Sequence, residues 1–145
     1  MSRRHVVAGL GALALAVVPA VALAKSTPKT SHALLFQNKA KTMDCGVQAP
    51  IPGTKPKWVL CSGDGIKKPK GTFDGDPFVR IGRTGKPKIV PISQDEFETN
   101  HATTLKKGAT WSQLGVTCTV QGKAVKCENK SKHGFTAGNG KYKAF

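Results

Sequence analysis

The segment TCTVQGKAVKC, residues 117–127, constrains this chain more than any other stretch. Two cysteines bracket alternating apolar and polar residues around Gly122 and Lys123. With those two as the central residues of a tight turn, Gln121 faces Ala124, Val120 faces Val125, Thr119 faces Lys126 and Cys118 faces Cys127. Glycine at the first central position suits a type II′ turn, whose twist matches that of the paired strands. In this register Val116, Cys118, Val120, Val125 and Cys127 share one face, and Thr117, Thr119, Gln121, Lys126 and Glu128 share the other. The cysteine couple falls at a non-hydrogen-bonded position, where opposed side chains come closest and a disulfide closes. By elimination Cys45 pairs with Cys61, closing a loop that holds Pro50, Pro52 and Pro56.

The remaining cysteine arithmetic agrees. Fifteen, 56 and 8 residues separate successive cysteines, with no C-x-x-C pair and no histidine placed to complete a zinc site. Four cysteines outside the cytoplasm form disulfides, so no metal and no cofactor is assigned. On the chain-entropy model the two rings contribute roughly 2.7 and 3.1 kcal/mol, comparable with the whole stability of a small domain.

An exported chain is indicated by the first 24 residues. Ser2, Arg3, Arg4 and His5 form a positive head, Val6 to Leu23 an apolar run, and Ala22, Leu23 and Ala24 a small-x-small site. Cleavage after Ala24 predicts a secreted protein beginning at Lys25. An uncleaved anchor is the alternative, since about 18 apolar residues just span a bilayer; Pro19 and the Ala-x-Ala end favour cleavage. Arg3 and Arg4 leave the general and the twin-arginine export routes both open. Residues 25–31 read as a flexible polar lead, and residues 32–145 as a single monomeric domain with no membrane span.

Short apolar or alternating runs recur between glycine, proline and asparagine: 32–36, 57–62, 77–81, 88–92, 111–115, 116–121, 124–128, 134–137 and 141–145. Many short strands at close spacing predict a mostly β, antiparallel sandwich or barrel-like domain stapled by two disulfides. At most one short helix fits, starting at the capping box of Ser93 and Glu96 and ending at Lys106, Lys107 and Gly108. No internal repeat is visible.

The C-terminal third runs from Gly108 and Trp111 through Cys118, Val125, Cys127 and Asn129 to His133, Gly134, Phe135, Tyr142 and Phe145. It resembles a family of small secreted actinobacterial proteins catalogued as domain of unknown function 6636. Their series is G-x-x-W, a cysteine hairpin, G-H-G-F and Y-x-x-F; here Lys132 stands at the first glycine of G-H-G-F. Cys45 and Cys61 match the family's first cysteine pair, and its middle pair is absent. The resemblance implies export and a disulfide-stapled fold, and no activity.

Without the leader the chain keeps 21 basic and 8 acidic residues, a formal +13. Such a charge favours polyanions: cell-wall polymers, nucleic acid bound non-specifically, or an acidic lipid surface. Nearly all the bases are lysines spread along the chain, hydrated point charges that lack the forked recognition of arginine; a solvated surface is the plainer reading. Lys67, Lys68 and Lys70, with Lys86 and Lys88, are the candidate anion patch. Trp58 and Trp111 are candidates for stacking a sugar or base, against the plainer role of packing over a disulfide.

For catalysis, His32, His101 and His133 and nearby acids are available, but no G-x-S-x-G or H-E-x-x-H frame surrounds them, so no catalytic residue is assigned. The expected function is a secreted binding or envelope-associated module with affinity for anionic polymers. The alternatives are a small hydrolase using His133, or an inhibitor presenting the Cys45 to Cys61 loop.

Overall fold

The computed structural model describes residues 30–31, 33–48, 53–71, 75–92 and 102–145. Its strands are β1 (Thr30–Ser31), β2 (Leu35–Asn38), β3 (Met43–Val47), β4 (Trp58–Gly63), β5 (Asp76–Gly82) and β6 (Lys88–Ile92), followed by β7 (Thr103–Leu105), β8 (Thr110–Gln113), β9 (Val116–Val120), β10 (Ala124–Asn129), β11 (Gly134–Gly138) and β12 (Lys141–Ala144). They form two six-stranded sheets, β1-β8-β9-β10-β11-β12 and β6-β5-β4-β3-β2-β7. No helix occurs among the described residues.

The cysteine hairpin adopts the register that its turn chemistry dictates. Val125 pairs with Val120, Lys126 with Thr119 and Cys127 with Cys118, and the Gln121 N–H donates to the Ala124 carbonyl at 2.7 Å. Gly122 takes φ +87°, the left-handed first position of a type II′ turn, where a side chain would be strained. The inward face, Val116, Cys118, Val120, Val125 and Cys127, is buried. Both disulfides form as expected, Cys45–Cys61 and Cys118–Cys127. Each closes between directly opposed residues of neighbouring strands.

The sheets face each other across one core. Phe36, Met43, Cys45, Val59, Cys61, Val79 and Ile81 come from one, and Trp111, Val116, Cys118, Val120, Val125, Cys127, Phe135 and Ala137 from the other. Cys61 Sγ lies 3.9 Å from Cys127 Sγ, so the disulfides meet at the centre. Trp111 is fully buried, stacks at 5.1 Å on Phe36 and donates its Nε1–H to the Ala33 carbonyl at 2.6 Å. Its one polar atom is thereby satisfied where the chain crosses from β1 to β2, as a buried indole requires.

The two sheets repeat one another, although no repeat is visible in the sequence. Each is a five-stranded antiparallel meander, β2 to β6 or β8 to β12, with a short strand laid parallel against its first member. That short strand comes from the other half: β1, which precedes β2, pairs with β8, and β7, which precedes β8, pairs with β2. Each meander carries its disulfide between its second and third strands, and Phe36 and Trp111 occupy matching places, paired with Cys45 and Cys118. Unequal loops hide the likeness, since the disulfides span separations of 16 and 9 residues.

Other differences from expectation are local. The described part of the proposed helix, residues 102–108, contains β7 instead, because Thr103–Leu105 supplies the parallel edge of the second sheet; residues 93–101 lie outside the described residues. The run 111–115 stops at Gln113, where Leu114 (φ +53°) and Gly115 (φ +76°) turn the chain into β9. Thr30 and Ser31, read as lead, pair with β8. Residues 1–29, including the export segment, and His32, Pro50 and Pro52 also lie outside the described residues.

Candidate functional site

Asn129, the last residue of β10, organises one end of the sandwich. It is 4% exposed, so each of its polar atoms needs a partner. Its Nδ2 donates to the Gly82 carbonyl at 3.1 Å and the Gly85 carbonyl at 2.7 Å. Its Oδ1 accepts from the backbone N–H groups of Ser131 at 3.0 Å and His133 at 3.2 Å. The loop between β5 and β6 is thus fastened to the turn between β10 and β11, and the Lys130 N–H adds a bond to the Arg83 carbonyl at 3.2 Å.

That junction gathers bases far apart in sequence. Lys57, Arg83 and Lys130, with Pro56, Leu114 and Gly115, line a depression of about 430 Å³. It shares Gly115 and Lys130 with a second depression, of about 470 Å³, on the outer face of β8, β9 and β10. There the hydroxyls of Ser112, Thr117 and Thr119 lie among Lys126, Lys130 and Lys132, with Ser112 Oγ 3.2 Å from Thr117 Oγ1. Among the described residues that line it, Glu128 is the acid. Its carboxylate meets Lys132 Nζ at 3.1 Å and Lys126 Nζ at 3.5 Å, and the Lys132 hydrogen bond, aided by both lysine charges, holds it below the usual carboxylate range. Among the described residues no carboxylate pairs with Lys57, Arg83 or Lys130.

A recess of about 600 Å³ opens between the edges of the two sheets, β6 and β12. Gly65, Lys67, Ile89, Gly140, Lys141, Tyr142 and Lys143 line it. Gly140 N–H donates to Asp64 Oδ2 at 2.7 Å, drawing the loop after β4 onto the turn between β11 and β12. Burial raises the Tyr142 hydroxyl above its ordinary pKa and keeps it a neutral donor.

The five lysines of the sequence-derived patch are exposed, and they divide between these regions. Lys67 lines the edge recess, with Lys68 and Lys70 farther along the same loop. Lys86 sits on the loop fastened by Asn129, and Lys88 begins β6. Lys57, Arg83, Lys130 and Asn129 were not legible as a site, because three segments supply them and no single window shows the grouping.

The motif residues of the C-terminal third have structural places. Trp111 and Phe135 are core, Tyr142 packs 6.0 Å from Phe135, and Phe145 lies over Gly134, where a Cβ would meet its ring and the Cys127 carbonyl. Lys126 Nζ stands 5.1 Å from the Phe145 ring centroid. His133 is held through its backbone, its N–H by Asn129 Oδ1 and its carbonyl by Asn129 N–H. No carboxylate engages its imidazole among the described residues. Trp58, unlike Trp111, is outside the central core; it is half-buried beneath Arg80, whose guanidinium carbon lies 4.8 Å from the ring centroid.

No helix among the described residues is long and apolar enough to cross a membrane. No family model matches the chain, and no curated protein or solved structure matches it.

Proposed function

We propose that this is an exported, cell-envelope-associated module that binds an anionic polymer along the groove formed by the two depressions meeting at Gly115 and Lys130. One observation carries the reading: Lys57, Arg83 and Lys130, from three separate segments, gather at one depression with no carboxylate on its wall among the described residues. Arg83 supplies the forked donor that the lysines lack, and the hydroxyls of Ser112, Thr117 and Thr119 add neutral donors for phosphate or sugar oxygens. The leader-like first 24 residues, the two disulfides and the resemblance to small secreted proteins support export. The backbone role of His133 gives the hydrolase alternative no support.

The test is retention of the chain on teichoic-acid-bearing cell wall, duplex DNA and phosphatidylglycerol vesicles across a salt gradient, with paired charge variants. Arg83→Gln with Lys130→Gln is expected to weaken retention on the preferred polymer and to reduce the slope of log affinity against log salt by about 2. Lys39→Gln with Lys123→Gln removes the same charge at the opposite end and is expected to do far less. Equal losses from both pairs would leave only diffuse charge and overturn the groove reading.

A further inference from the structure

Four cysteines whose spacing in sequence matches no zinc motif converge in space. All four Sγ atoms lie within 4.8 Å of one another, and all four residues are completely buried. Two come from each sheet, at matching places in the two meanders, so the sulfurs approach a common centre from opposite sides. A tetrahedral zinc ion about 2.3 Å from four thiolates sets its ligands about 3.8 Å apart. Cys61 Sγ and Cys127 Sγ, on facing sheets, already stand 3.9 Å apart. In the reduced chain the two sulfurs of each cross-strand couple have only to separate, which rotation about their Cα–Cβ bonds provides.

We propose that the chain, with its four cysteines reduced, binds one thiophilic divalent ion of the zinc type between the sheets, and that disulfide formation expels it. Loading joins four thiols to one ion through four metal–sulfur bonds and releases four protons. Unloading by two molecules of oxidised glutathione breaks those four bonds and forms the two cystines. Two electron pairs pass from cysteine sulfur to the glutathione disulfides, which leave as four thiolates with the free ion. The apolar walls disfavour bare thiolates, so deprotonation and metal capture occur together. The dianionic centre lies within a strongly cationic chain, of formal charge +15. Metal and disulfides are alternative ways of cross-linking the same core.

The full chain, reduced anaerobically with a phosphine, is titrated with cobalt(II) as the probe. The expected result is the ligand-field and sulfur-to-cobalt bands of a tetrahedral thiolate site, saturating at one cobalt per chain, bleached by one equivalent of zinc and abolished in denaturing urea. Zinc is expected to raise the melting temperature of the reduced chain, and oxidised glutathione to release one zinc per chain as the four protein thiolates become two cystines and four glutathione thiols appear. Absence of the bands would overturn the proposal. So would bands that persist in urea, which would reflect loose thiols, or bands unchanged in the Cys45→Ser/Cys61→Ser variant.

Discussion

Lys132 holds φ +63°, a conformation that L side chains enter at a cost of about 1–2 kcal/mol and glycine enters freely. What Lys132 adds in return is an exposed ion pair to Glu128, which solvent screens and which contributes little. Lys132→Gly is therefore expected to raise stability by about 0.5–1 kcal/mol, read from the denaturant midpoint at unchanged slope. Asp44 is strained electrostatically rather than conformationally. Burial raises its carboxyl above the ordinary value, and the Gln37 amide at 3.3 Å pulls it partly back. A raised folded pKa means that the native state takes up the proton before the unfolded state does. The stability it contributes is present below the unfolded pKa and lost as pH rises through the folded one. Asp44→Asn is expected to be more stable than the parent at neutral pH, with the gap closing as pH falls below the ordinary aspartate value; a constant gap in urea melts across that range would contradict this.

Among the elements, the β9–β10 hairpin was the most legible, because turn residue, face alternation and cysteine opposition all select one register. Gly122→Ala is expected to cost about 1–2 kcal/mol, since alanine would have to enter the left-handed region. Lys123→Ala beside it should lie within about 0.5 kcal/mol of the parent; thermal melts of the two distinguish turn geometry from loss of charge. Strands β4, β5, β6, β11 and β12 were legible for the same reason, as runs of β-forming residues bounded by turn residues. Strand β3 was not, because Asp44 and Gly46 interrupt its apolar pattern and its last residues, from Cys45 on, fall in the ring read as a proline loop. Nor were β1 and β7, of two and three residues, whose pairing is decided by the exchange between halves rather than by local propensity. The site was less legible than the fold. In sequence Asn129 is one residue of the C-terminal series, whereas in space its amide fastens two loops and thereby places Arg83 against Lys130.

Across the whole molecule, two matching meanders exchange the short strands that precede them, β1 and β7, and press both disulfides into one core. Buried amides secure both ends. Asn38 reaches the Gly122 carbonyl at 3.0 Å and accepts from Thr42 and Met43, while Asn129 fastens the other end. A rigid frame of this kind can hold cations at fixed spacing, which separates a binding groove from a merely soluble surface. Charge alone would draw a polyanion to every exposed lysine, the Lys39 and Lys123 end included. The most direct measurement is an amide chemical-shift titration of the oxidised chain with linear polyphosphate at physiological salt. Saturable shifts concentrated at Lys57, Arg83, Gly115 and Lys130 are the predicted result; shifts spread evenly over the lysines of both ends, or none at all, would contradict the groove.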